Sequence, residues 1–504
     1  MRPVNYWIFL GRLLLIASAV SVLLWPAWMN HGPFFYTDTR SYMRTEDSAL
    51  AKILHHHTDW TSDDPTAGQP AKDDDALHNV ALSRSRSLSD MKLKGIMLGR
   101  SVFWGTLLYI GSPSGFWLTV FLQSLSVVTF IALILRHIGL PVWRWILPLS
   151  VALALTSDAG FYASFLMPDV YAGIALFSMA VLLSTTTKSS PRSTSLWFAL
   201  LLWCFLSHDS LWMLGGLALV TASAVNLLRR NWSNRSACFT IAAAILCALV
   251  TQKAIALGIQ KVTHQEPLRF PLLEARLIAD GPGTQYLKQT CPQNQFAACK
   301  FVSKYPLTSQ DFMYCAAPEC SAYETAGYET RRRISNEQIR LFLAVARFDP
   351  LGLAASILRN AGRELLHFPL SEFSYNSGEK LQMQLTFPEP VIAKIQASPA
   401  FQNAWPEQAV STFFSLAVSA FAAWILFSSL RRPSRLHREL ALGGLWTLAL
   451  VVGNALICGG VSDFFARYQA RVIWTIPLAG LLIAASQWNN RRAAAGPASQ
   501  PQIT

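Results

Sequence analysis

Carboxylates, guanidiniums and an imidazole recur in this chain where a long apolar stretch gives way to a short loop. Asp38 and Tyr42 follow the first such stretch, Asp158 and Asp169 bracket a later loop, and His208 and Asp209 fill a tight turn. Asp463, Arg467, Tyr468 and Arg471 precede the last stretch. Ionisable groups at the mouths of lipid-embedded helices are costly, so they point to function. A carboxylate there can accept a proton, and Arg467 and Arg471, four apart, share one helical face that suits a single phosphate. Structural roles compete for the same residues. Tyr36-Thr37-Asp38-Thr39 is good capping chemistry, Asp158 and Asp209 also stand where caps form, and Asp169 after Pro168 can simply begin a helix. His55-His56-His57 reads as a solvated loop, because three consecutive side chains do not face one point. The acidic runs Asp63-Asp64 and Asp73-Asp74-Asp75 lack the spacing and glycine turn of a calcium loop.

Composition dictates the elements that must hold these groups. Of 504 residues 52% are apolar and 14% charged, and 29 Phe with 17 Trp exclude a disordered chain. A mean hydropathy of +0.30 describes a protein that dissolves in lipid. The net charge of +13 lies in short clusters between apolar stretches, so the expected partner is the lipid bilayer and not nucleic acid. Crossing ~30 Å of hydrocarbon takes about 20 apolar residues as a helix. Segments near 5–28, 115–136, 142–157, 169–187, 194–207, 211–228, 237–257, 409–430, 439–459 and 470–488 fit that requirement. The expected fold is an all-α polytopic membrane protein with about ten transmembrane helices.

Short loops rich in Lys and Arg stay in the cytoplasm. Arg136 and Arg144, Lys188 and Arg192, Arg229, Arg230 and Arg235, Arg431 to Arg438, and Arg491 and Arg492 all fall on one side when the segments are threaded in order. Both termini are thus expected in the cytoplasm, with the first segment a retained anchor instead of a cleaved signal. The N-terminal module, 1–257, then holds seven helices and a long external loop, 29–114. An external α-rich domain covers 258–408, and 409–504 supplies three helices and a cytoplasmic tail. Cys291, Cys299, Cys315 and Cys320 crowd the external domain, as disulfides in an oxidising compartment would, with three pairings open. Zinc is the competing reading, but there is no Cys-x-x-Cys or nearby His pair. Within the outer regions, 34–54, 270–279 and 332–361 read as helical and 89–109 as an interfacial amphipathic segment. Gly281-Pro282-Gly283 and 371–390 read as loops.

The layout resembles the C-type (GT-C) polytopic glycosyltransferases, which have a long first external loop and an acidic residue directly after the first helix. Here that stretch is Phe34-Phe35-Tyr36-Thr37-Asp38-Thr39-Arg40-Ser41-Tyr42. Stretches 275–283 and 466–474 are also similar to an uncharacterised family of bacterial inner-membrane proteins, a likeness that implies no activity. The first resemblance implies a glycosyltransferase that moves a sugar from a polyprenyl-phosphate-linked donor to a cell-envelope glycan or lipid acceptor. The site would face the periplasm from the inner membrane and work with inversion, Asp38 being the base and Asp158 a second catalytic acid. Arg467 and Arg471, with His208 and Tyr468, would hold the donor phosphate, and Asp169, Asp209, Asp463 and Tyr42 are further candidates. Outside the acidic run Asp73-Asp74-Asp75 the first loop has no Asp-x-Asp, and it has no Asp-Glu pair, which leaves a divalent cation as an open question and no cofactor specified. Two rival functions remain: an O-antigen ligase or polymerase-like enzyme using a diphosphate-linked donor, and a transporter or flippase of lipid-linked sugars.

Overall fold

The computed structural model describes residues 6–54, 58–60, 95–185, 190–293, 295–315, 317–431 and 434–494. His55-His56-His57 and both acidic runs lie outside these residues. The described chain is helical, and its only β pairing is two isolated bridges, Phe34 with Phe165 and Met97 with Leu268. Among the described residues seven helices are long and apolar enough to cross a membrane, or eight if the bent pair Tyr328–Phe348 and Pro350–Leu366 counts as one: Tyr6–Leu23, Trp117–His137, Ser210–Arg229, Arg235–Thr263, Glu407–Leu430, Arg435–Val461 and Ala466–Arg492. The protein is thus a multi-pass, all-α membrane protein, and the expectation of about ten spans exceeds the full-length ones. The other three expected segments form shorter helices, Val142–Thr156, Val170–Ser184 and Pro191–Ser207. Val170–Ser184 is buried along its whole length, so its neighbours and not lipid set its length. Gly173 in it lies flat against the Trp474 indole, leaving no room for a Cβ.

Two apolar cores form. The larger joins the membrane helices and also takes in Leu370, Phe373, Tyr375, Met383 and Ile392 from the segment expected to be external. The smaller gathers Ala275, Ile278, Leu287, Phe312, Ile334, Leu341 and Leu353. Disulfides Cys291–Cys299 and Cys315–Cys320, with Cα–Cα separations of 5.6 and 5.7 Å, staple its loops. They resolve the pairing that the sequence left open.

Local chemistry explains where the elements depart from expectation. The helix expected over 332–361 is two, Tyr328–Phe348 and Pro350–Leu366, bent by 115°. Pro350 cannot continue a helix, and the Asp349 side chain accepts the Gly352 N–H to start a new one. Gly281-Pro282-Gly283 is not a free loop but the start of the Pro282–Thr290 helix: Gly281 takes φ 105°, and Pro282 stands at the first turn. Within 371–390, Asn376 and Glu379 form a reciprocal capping box that starts a helix, Ser377–Thr386. In the stretch read as interfacial, residues 95–99 are extended, and a helix, Val102–Gly111, follows with Trp104 and Leu108 buried. Residues 89–94 lie outside the described chain.

The two bridges matter most for position. Phe34 donates to the Ser164 carbonyl and its own carbonyl accepts from Leu166 N–H, both at 2.9 Å. The Tyr375 hydroxyl bonds both the N–H and the carbonyl of Phe35. Leu98 N–H donates to the Leu268 carbonyl and Leu268 N–H to the Ile96 carbonyl, both at 2.7 Å. These contacts fix the chain four residues before Asp38 and two before Arg100.

The smaller core carries a titratable weak point. Glu274 is fully buried, neither of its carboxylate oxygens has a hydrogen-bond partner, and Glu337 is nearby. Burial, then Glu337, raises its pKa well above 4.5. The folded state therefore binds the Glu274 proton more tightly than the unfolded chain, and stability is highest below about pH 4.5 and falls as pH rises toward the folded pKa. Glu274→Gln is expected to stabilise this region at pH 8 by ~1 kcal/mol or more and to flatten that decline. Hydrogen exchange of residues 272–353 in the detergent-solubilised protein, compared at pH 5 and 8, measures both effects.

Candidate functional site

The short helix Ala466–Ile473 carries the two arginines, and it is pinned from below. Asn454 on the preceding span donates to the Tyr468 carbonyl at 2.8 Å and to Gln469 Oε1 at 3.1 Å. Arg471 is fully buried and almost saturated. Its Nη1 meets Asp169 Oδ1 at 3.2 Å and His208 Nε2 at 2.8 Å, and its Nη2 meets Ser210 Oγ at 3.0 Å and Cys458 Sγ at 3.6 Å. A guanidinium only donates, so His208 Nε2 must accept, and Nδ1 then holds the ring proton toward Ser210 Oγ at 3.0 Å. The imidazole is neutral, and burial followed by the Arg471 charge keeps its pKa well below the ordinary value. His208 thus adds no positive charge for a phosphate and instead orients Arg471.

Arg467 is placed differently. It is 4% exposed, yet Nε and Nη1 have no hydrogen-bond partner, and among the described residues its ion contact is Nη2 to Asp38 Oδ2 at 3.9 Å. Its guanidinium lies 4.3 Å from the Tyr36 ring centroid and 5.3 Å from that of Tyr468, and Tyr468 also lies 4.8 Å from Arg471. Aromatic faces attract a cation without using its N–H groups. A buried guanidinium with donors to spare is an anion-binding group awaiting its anion.

Asp38 sits on the open side of this cluster, its side chain 25% exposed. Oδ1 pairs with Arg100 at 2.6 Å while Oδ2 faces Arg467. Its side chain is turned to these guanidiniums and not to the start of the Thr39–Leu54 helix, where Thr39 Oγ1 accepts from Tyr36 N–H and donates to the Leu166 carbonyl. Tyr42 is buried below Arg100, 5.6 Å from ring centroid to guanidinium carbon. Glu372 closes the far wall from the Ser371–Phe373 turn. Burial lifts its pKa to about 7 against the pull of Arg467, and Tyr36 bonds to its carboxylate. Arg471 is paired with Asp169, and Arg100 and Arg467 share Asp38, so the cluster carries one guanidinium more than aspartates, and its net charge depends on the protonation of Glu372.

The remaining candidates lie elsewhere. Asp158 is buried, its Oδ1 without a partner, and has no ion pair with either arginine; burial raises its pKa well above the carboxylate range. Asp209 is exposed and bonds Gln252 at 2.7 Å. Asp463 belongs to a neighbouring cluster, accepting from Arg276 at 3.1 Å and Gln310 at 2.7 Å, while Arg276 also pairs with Asp280 at 2.7 Å. The sequence reading missed Arg100, Tyr36 and Glu372. Tyr36 stood two residues from Asp38, but no spacing marked Arg100 or Glu372. Among the described residues Asp311, Cys315 and Cys320 come close enough to suggest a metal, but the two sulfurs form a disulfide, which leaves one carboxylate. Comparison with family models, with curated proteins and with solved structures finds no match.

The two arginines should therefore separate by experiment. Asp169→Asn leaves the buried Arg471 charge uncompensated and is expected to cost ~3–5 kcal/mol. Arg467→Gln removes a group with few partners and should leave the melting temperature within a few degrees of wild type. Thermal unfolding of both variants in one detergent tests the contrast.

Proposed function

We propose that this protein is a glycosyltransferase that moves a sugar from a polyprenyl-phosphate-linked donor to a hydroxyl of a cell-envelope glycan or lipid. The reading places the site at the periplasmic face of a bacterial inner membrane. The observation that carries it is Arg467, a buried cation with unused donors 3.9 Å from a partly exposed carboxylate. A donor with a lipid tail explains why such a site is built among apolar helices, since the tail stays in hydrocarbon while its phosphate meets Arg467.

In the proposed step the acceptor oxygen attacks the anomeric carbon from the face opposite the phosphate. The bond from carbon to phosphate oxygen breaks and its electron pair leaves with the phosphate. Negative charge grows on that oxygen, where Arg467 stabilises it with hydrogen bonds not made beforehand. Asp38 Oδ2 takes the acceptor proton, and Arg100 on Oδ1 holds the carboxylate in place. Glu372, bonded to Tyr36 beside Arg467, is a second carboxylate that can exchange a proton near neutral pH. The outcome is one inverted glycosidic bond and one free polyprenyl phosphate. The chain's own residues supply every group in this scheme.

Asp38→Asn is expected to lower transfer roughly 10²–10⁴-fold. The assay is purified protein with a synthetic polyprenyl-phosphate sugar, followed by mass spectrometry of product and released lipid. Near-wild-type turnover by a folded Asp38→Asn variant would overturn the assignment. Release of a polyprenyl diphosphate would move the reading to a ligase or polymerase, and movement of lipid-linked sugar across sealed vesicles without covalent product to a flippase.

A further inference from the structure

The Pro350–Leu366 helix belongs to the segment expected outside the membrane, but its surface does not suit water. Leu351, Leu358 and Leu366 are 82%, 64% and 81% exposed, and with Ala354 and Ala355 they recur at helical spacing on one face. Arg359 and Arg363 are exposed beside that stripe. The one acidic residue within the helix, Glu364, is fully buried and points the other way. The outward side is therefore apolar and purely cationic among the described residues.

The inward side fixes the depth. Asn360 packs its backbone against Gly459 and Ile357 against Gly460, both glycines lying near the end of the Arg435–Val461 span, where a Cβ would collide with the helix. Asn360 also donates to Asp280 at 2.8 Å, and Arg363 lies over the Phe464 ring at 5.0 Å. The helix is thus bound to the mouth of a membrane span and meets its partner helix, Tyr328–Phe348, at a 115° bend. Taken together the bent pair is long and apolar enough to count as one broken span or a re-entrant element, with Pro350–Leu366 packed against the Arg435–Val461 span.

We infer that the outer face of Pro350–Leu366 is seated in the headgroup region of one leaflet, its leucines in the acyl boundary and Arg359 and Arg363 on the phosphates of anionic phospholipid. Amphipathic helices with an apolar stripe and a cationic edge bind this way, and the complementary charge selects anionic over zwitterionic lipid. The inference does not depend on the proposed reaction.

The test places a photoreactive benzoylphenylalanine at Leu351, Leu358 or, as a control, Arg333 in the full chain. The variants are reconstituted in nanodiscs of phosphatidylglycerol and phosphatidylcholine and irradiated, and adducts are identified by mass. Phospholipid adducts are expected at 351 and 358 and not at 333, with phosphatidylglycerol enriched about fivefold over its bulk share. In Arg359→Gln/Arg363→Gln the enrichment should fall to the bulk ratio while lipid adducts persist. Crosslinks between two copies of the chain would make the occupant a second protomer. An absence of lipid adducts at both positions would mean the face meets water. Either result overturns the inference.

Discussion

The structure is organised around the cost of keeping guanidinium groups among apolar helices. A fully buried charge is tolerated only with a partner and with its N–H groups occupied. Arg471 comes close to that demand, with Nε alone unpartnered, through Asp169, His208, Ser210 and Cys458, which come from three different parts of the chain. Those contacts tie the loop after Asp158, the turn at His208 and the last two spans into one body. Arg467, one helical turn away, has the same burial without the same satisfaction. The difference between the two is what makes one a structural tie and the other a candidate site.

A similar division runs through the carboxylates. Asp169 serves the buried cation, Asp463 serves Arg276, and Asp209 serves a glutamine at the surface. Asp38 alone among the aspartates first singled out combines partial exposure with a guanidinium on either side. Glu372 approaches the same cluster from a turn distant in sequence, and burial leaves it able to change protonation near neutrality. Such an arrangement holds charge in reserve, neither fully neutralised nor open to bulk water.

Hydrophobic length made the helical membrane frame legible from sequence, because lipid imposes a rule on every residue of a span. Asp38, Arg467 and Arg471 were legible for the related reason that charge near a span is expensive. Val170–Ser184 escaped the length rule since protein, not lipid, surrounds it along its whole length. Arg100 and Glu372 were hidden because nothing local marks them. They reach the site through a single β bridge at Met97 and through a turn packed by Phe373 against Phe34, Phe161 and Phe165. Pairings of that kind depend on residues hundreds of positions apart and leave no periodic trace. The roles of Arg471 and His208 were hidden for another reason: whether a cation is spent or free depends on its neighbours' donors and acceptors, which spacing does not record.

Trp474 has a consequence for motion. Its indole fills the slot that Gly173 leaves open, and its ring nitrogen donates to the Arg471 carbonyl at 3.0 Å. The floor beneath the two arginines is thereby keyed to a helix that is walled in on all sides, and it cannot slide or turn without withdrawing a bicyclic ring from its socket.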